Sequence, residues 1–139
     1  MRTVMAFGAF DLIHPGHLRF LREARRRGDR LVAVVARDES VRRLKGRAPT
    51  FNEGERMEIV GALRWVDKVV LGDRAGEWTV IRRIKPDILC VGYDQDPQHP
   101  ALRHQLAALK KKPRIVHLPK FRVQRHKSSL IKKRIKRSL

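Results

Sequence analysis

The chain has 139 residues, and its 33 Lys and Arg outweigh 14 Asp and Glu to give a net charge of +19. That length suits one compact domain, and a hydrophobic share of 42 % excludes a disordered chain. The longest strongly apolar run, Leu31 to Ala36, is six residues against the roughly 20 of a membrane-spanning helix; the lone Cys90 excludes an internal disulfide. With no signal-peptide pattern after Met1-Arg2-Thr3, a cytoplasmic protein without a membrane partner is expected.

In chain order, Thr3 to Phe7 reads as a short buried strand stopped by Gly8. Pro15 stands where the first residue of a helix is favoured, and Leu18, Leu21 and Ala24 give that helix an apolar face up to Arg27, with Gly28 closing it. Leu31 to Ala36 is apolar throughout, as a strand buried on both faces would be. A short helix over Ser40–Leu44 leads to the basic loop Lys45-Gly46-Arg47. Asn52 and Glu55 have the spacing of a capping box that opens a helix through Leu63. Further strands are expected at Val66–Leu71, Ile88–Val91 and Arg114–Leu118, and helices at Glu77–Lys85, Pro100–Lys112 and Ser128–Ser138. Strand and helix alternate, so the fold class is α/β: a Rossmann-like five-stranded parallel sheet with helices on both faces. One domain, 1–139, is expected, with a basic C-terminal helix at 128–138.

The charge is uneven. The last acidic residue is Asp96, and from Pro97 to Leu139 there are 14 Lys and Arg and no acid. Such a field attracts polyanions, read either as non-specific nucleic-acid affinity or as a path for phosphorylated substrates. The region has little interleaved aromatic surface, which weakens it as a single-strand binder.

The strongest chemical signal is Gly8-Ala9-Phe10-Asp11-Leu12-Ile13-His14-Pro15-Gly16-His17. A glycine ends a strand, and two histidines three residues apart flank a helix start. That start offers free N–H groups and a partial positive charge, which suit a phosphate. Imidazoles beside it add donors for charge developing on a phosphoryl oxygen. An isolated His-x-x-His would be two surface histidines or metal ligands. Six fixed positions in this strand-to-helix setting would recur by chance on the order of once in a million chains.

The string resembles the nucleotide-binding motif of the cytidylyltransferase-like superfamily, which includes glycerol-3-phosphate cytidylyltransferase, phosphopantetheine adenylyltransferase and archaeal FAD synthetase. Val35 to Arg47, Lys85-Pro86-Asp87-Ile88 and Gly92-Tyr93-Asp94-Gln95 are most similar to the FAD synthetases. The resemblance implies that Ala9 and Phe10 line the nucleotide through backbone and packing, and that His14 and His17, with Pro15 and Gly16 between them, hold its phosphates. Asp11 would brace the loop. It further implies nucleotide contacts at Asp94, at Phe121 (where the family usually has tyrosine), and at the Ser128-Ser129 helix start. Lys45, Arg47 and Arg56 stand where relatives hold phosphates.

The reaction so implied is FMN and ATP giving FAD and pyrophosphate, by in-line attack of the FMN phosphate on the α-phosphorus. His14, His17 and Lys45 would carry the catalysis. The phosphate monoester is already ionised, so the work is positioning and charge stabilisation. A divalent cation, Mg²⁺, would ride on phosphate oxygens with few protein ligands. The alternatives are glycerol-3-phosphate cytidylyltransferase, using CTP, and a basic nucleic-acid-binding protein. The resemblance also implies a homodimer.

Overall fold

The computed structural model describes residues 1–75, 77, 79–92, 95, 98–119, 132, 133, 135 and 136. Five strands form one sheet: β1 (Thr3–Gly8), β2 (Arg30–Val35), β3 (Lys68–Leu71), β4 (Ile88–Val91) and β5 (Arg114–His117). Five helices lie between them: α1 (Pro15–Arg25), α2 (Asp38–Lys45), α3 (Glu53–Gly61), α4 (Val80–Ile84) and α5 (Pro100–Ala107). The expected helix at 128–138 falls mostly outside the described residues; Lys132, Lys133, Ile135 and Lys136 are helical.

Every strand pair is parallel, in the order β3-β2-β1-β4-β5. The register runs from Thr3 opposite Arg30 to Gly8 opposite Val35, and Val4 faces Ile88 across the other edge of β1. Alternate residues point to opposite faces, so each strand feeds two cores. Val4, Ala6, Leu31, Ala33, Val35, Ile88 and Cys90 pack with Leu21, Ala24 and Val60 from α1 and α3. Met5, Val32, Val34, Leu89 and Val91 pack with Val80 and Ile81 from α4. A strand covered on both sides has no polar face, which is why Leu31–Val35 reads as a continuous apolar run. Burying each such side chain contributes about 1.5–3 kcal/mol.

The chain order reverses between β1, which connects outward to β2, and β4, which lies on its other side. In open parallel sheets the crevice at the carboxyl ends of two such strands is where ligands bind. Gly8 and Gly92 stand at those two ends.

Three local expectations change, the first at α5, which ends at Ala107 rather than Lys112. Helix α1 ends at Arg26 in right-handed conformation, and Gly28 has no positive φ. Gly28 is needed instead for close approach: a Cβ there would sit 2.7 Å from the Arg2 carbonyl oxygen and 2.7 Å from a Val4 methyl. Gly28→Ala is therefore expected to cost about 1–3 kcal/mol, read as a lower urea midpoint. Helix α4 is shorter than expected and starts at Val80, because Asp73 accepts from the N–H groups of Thr79 and Val80 and from the Thr79 hydroxyl. No helix of the described residues is long and apolar enough to cross a membrane.

Candidate functional site

Beyond the carboxyl end of β1 the chain turns sharply. Phe10 and Leu12 both adopt left-handed backbone, at φ 52° each, a region that side-chain-bearing residues enter at a cost of about 1–2 kcal/mol. Phe10 folds its ring back over Gly8, where a Cβ would lie 2.6 Å from the ring; only glycine fits. The ring is buried in the core, so what Phe10 can offer a ligand is backbone. That narrows the packing role expected of it.

The strained loop is held by two side chains. Asp11, 4 % exposed, accepts from Thr50 N–H at 2.7 Å and Phe51 N–H at 3.0 Å, and pairs with Lys132 at 2.6 Å. Burial would raise its pKa; the Lys132 hydrogen bond and the two N–H groups outweigh that and hold the carboxyl below its ordinary value. Asp11 thus braces the loop, as the family resemblance implied.

Arg56 is fully buried. It donates to the Phe51 carbonyl at 2.9 Å, the Ala9 carbonyl at 2.8 Å and the Asp38 carboxylate at 2.7 Å. The expectation that Arg56 meets a substrate phosphate is corrected: its fork is turned inward, where it joins the β1–α1 loop to α2 and α3.

The two histidines cap α1 reciprocally. His14 Nδ1 accepts from Gly16 N–H at 3.1 Å, and His17 Nδ1 accepts from His14 N–H at 3.3 Å. Their rings stack at 3.9 Å, with the Phe10 ring edge-on to His17 at 5.8 Å. Both Nδ1 atoms act as acceptors, so each neutral ring carries its proton on Nε2. This is the capping-box pattern with imidazoles in place of Asn and Glu, and it fixes both tautomers. Gly16 is buried and its N–H is spent on the cap; Pro15 is exposed at the first helical position.

Burial, then the proximity of His14 and of the Lys45 charge, pushes the His17 pKa down to about 3. His17 is a neutral donor through the physiological range. The stability consequence has a definite sign. Below the ordinary value of 6.5 the unfolded chain takes up a proton that folded His17 refuses. Its neutral burial is therefore uncosted above pH 6.5 and increasingly unfavourable as pH falls toward 3. The urea midpoint of the protein should drop from pH 6.5 to 4, and less steeply in His17→Asn.

Lys45 closes α2 and is exposed, yet near enough for its charge to act on His17. Gly46 follows in left-handed conformation at φ 75°, and Arg47 is exposed in the loop beyond. The structure therefore brings His14, His17 and the Lys45 charge together.

At the end of β4, sequence reasoning missed two side chains. Gln95 accepts from Gly92 N–H at 2.9 Å and donates to the Phe7 carbonyl at 3.3 Å, spanning the crevice between β4 and β1. His117 Nε2 lies 2.9 Å from the Gly92 carbonyl, which can only accept, so His117 donates. A glutamine three residues past a strand-ending glycine was the signal for the first. Asp94, Phe121, Ser128 and Ser129 lie outside the described residues. Among the described residues no group of three or more His, Cys, Asp or Glu could hold a metal ion.

This arrangement offers neutral N–H donors and cations to an anion at a helix start, at the crevice where the strand order reverses. Comparison with known proteins agrees in kind. The cytidylyltransferase-like family model matches residues 5–134. The FAD synthase of Thermoplasma acidophilum is 38 % identical over 135 residues, covering 97 % of this chain and 94 % of that protein. The FAD synthase of Methanothermobacter thermautotrophicus is 48 % identical over 109 residues, covering 76 % and 72 %. A solved structure described as the lipopolysaccharide core biosynthesis protein of Thermoplasma volcanium superposes with a TM-score of 0.79 at 38 % identity, over 87 % of this chain and 98 % of that one.

Proposed function

We infer the reaction from one premise: this chain belongs to the cytidylyltransferase-like family. It is an FMN adenylyltransferase, joining FMN to the adenylyl group of ATP and releasing pyrophosphate. The observation that carries the reading is the paired-histidine cap on α1 at the reversal of strand order, together with relatives over nearly the whole chain that bear the FAD synthase name.

An oxygen of the FMN phosphate attacks the α-phosphorus of ATP, the bond to the bridging oxygen breaks, and pyrophosphate leaves. The attacking oxygen is already ionised, so the protein supplies position and charge rather than a base. In this reading the Nε2–H groups of His14 and His17 donate to phosphate oxygens, and their locked tautomers spare any reorganisation as charge develops. Lys45 neutralises the departing pyrophosphate, and exposed Arg47 steers the incoming phosphates. Ser128, Ser129, Phe121 and Asp94 are proposed nucleotide contacts, with Asp94 toward the nucleoside, since a carboxylate would repel the triphosphate. The described donors are cationic or neutral and suit phosphate rather than a bare metal. A divalent ion, Mg²⁺, would enter on the nucleotide, where it supplies charge neutralisation. A homodimer, a cytoplasmic location and salt-sensitive affinity of the basic third for nucleic acid go with this reading as further proposals.

A pyrophosphate-release screen crossing ATP and CTP with FMN and glycerol 3-phosphate tests it. Release is expected with ATP and FMN, with FAD as the second product. CDP-glycerol without FAD would move the assignment to glycerol-3-phosphate cytidylyltransferase, which the relatives do not favour.

A further inference from the structure

We propose that Lys132 and Asp11 form a positioning pair that orders the β1–α1 loop and thereby sets the strength of nucleotide binding. The inference rests on the nucleotidyl-transfer reading above.

Two cations of the acid-free third, Pro97 to Leu139, pair with acids of the preceding residues. Lys111 pairs with Asp87 at 2.6 Å, near the amino ends of β1 and β4. Lys132 pairs with Asp11 at 2.6 Å, beyond their carboxyl ends. The second pair differs from an ordinary surface bridge, because Asp11 is 4 % exposed and Lys132 20 %. Solvent screening is weak there, and the same carboxylate already organises Thr50 and Phe51.

Position gives the pair its consequence. Asp11 lies between the two left-handed residues and three positions before His14, and its charge acts on His17. With Lys132 paired, the carboxylate charge is balanced and the loop that Asp11 braces stays ordered. Without Lys132, Asp11 loses a 2.6 Å ion pair beside a site for phosphate, and the loop it braces is less firmly held. If the ordered form of the loop falls to about a tenth of the population, apparent nucleotide affinity falls about tenfold, while saturating nucleotide restores the competent form. Both act through the loop, as positioning residues.

The experiment uses the full chain. Equilibrium dialysis measures ATP binding for the wild type, Lys132→Met, Lys132→Arg, Asp11→Asn and the double variant Asp11→Asn with Lys132→Met. ATP affinity should fall about tenfold in Lys132→Met and stay within about twofold in Lys132→Arg. The double variant should bind no more weakly than the worse single variant, since both remove one interaction. At saturating ATP, kcat for FAD formation in Lys132→Met should stay within about twofold of the wild type. Amide exchange of Thr50 and Phe51 without nucleotide should quicken in Lys132→Met, a readout independent of turnover. Unchanged ATP affinity in Lys132→Met, or equal loss in Lys132→Arg, overturns the pair. Should the expected affinity pattern appear with no FAD made by the wild type, the pair stands and the acceptor assignment fails.

Discussion

His14→Ala and His17→Ala are each expected to lower kcat/KM by roughly 10²–10³, the loss that follows removal of one preorganised donor to a developing oxyanion. Both substitutions also open the cap of α1, because each ring accepts a backbone N–H through Nδ1. Cap loss costs about 0.5–2 kcal/mol of stability, so activity must be separated from folding. His14→Asn makes that separation. Asparagine is a favoured N-cap residue and keeps an acceptor for Gly16 N–H, but it brings no imidazole to a ligand. It should melt close to the wild type while losing most of its turnover. Near-normal kcat/KM in His14→Asn would show that the ring serves the helix alone.

The largest stability loss is expected at Arg56. Arg56→Met removes a fully buried guanidinium and strands the carbonyls of Phe51 and Ala9 and the carboxylate of Asp38. Breaking a buried pair costs about 3–5 kcal/mol. Asp38 keeps 39 % of its side chain exposed and can be rehydrated, which pulls the expectation toward about 3 kcal/mol. That is a large part of the 5–15 kcal/mol typical of a domain. Chemical denaturation checks it, and a loss below about 1 kcal/mol would refute the bracing role. Arg56→Lys should recover little, since an ammonium lacks the planar fork that serves three acceptors in different directions.

The sheet was legible from the sequence because burial on both faces leaves apolar runs such as Leu31–Val35 that no surface segment would carry. The Asn52–Glu55 capping box was legible because its chemistry is local. The histidine motif was legible for the same reason: its residues lie within ten positions and the helix start follows directly. Arg56 was misread because an arginine at a helix start looks the same whether its fork meets a phosphate or a carbonyl. The difference lies in Ala9 and Asp38, 47 and 18 positions away. Lys132 was hidden in the same way, as one of many cations whose partner lies 121 residues upstream. Gly28 was read as a helix stop because its real constraint, the Arg2 carbonyl, belongs to the strand edge on the other side of the turn.

The loop that carries the histidines is held from within, by a buried arginine and a buried aspartate whose described contacts are backbone groups and opposite charges of the same chain. Shape at this loop is thus maintained by residues distinct from the exposed Lys45 and Arg47 around it. Such a division lets the outer positions drift while the inner ones stay fixed. A lineage could exchange one phosphorylated acceptor for another by changing the rim around Lys45, with little penalty in folding and with the phosphate chemistry kept. A laboratory search for new acceptors would do well to diversify 42–44, 47 and 48 and leave Asp11, Asp38, Lys45, Gly46 and Arg56 untouched.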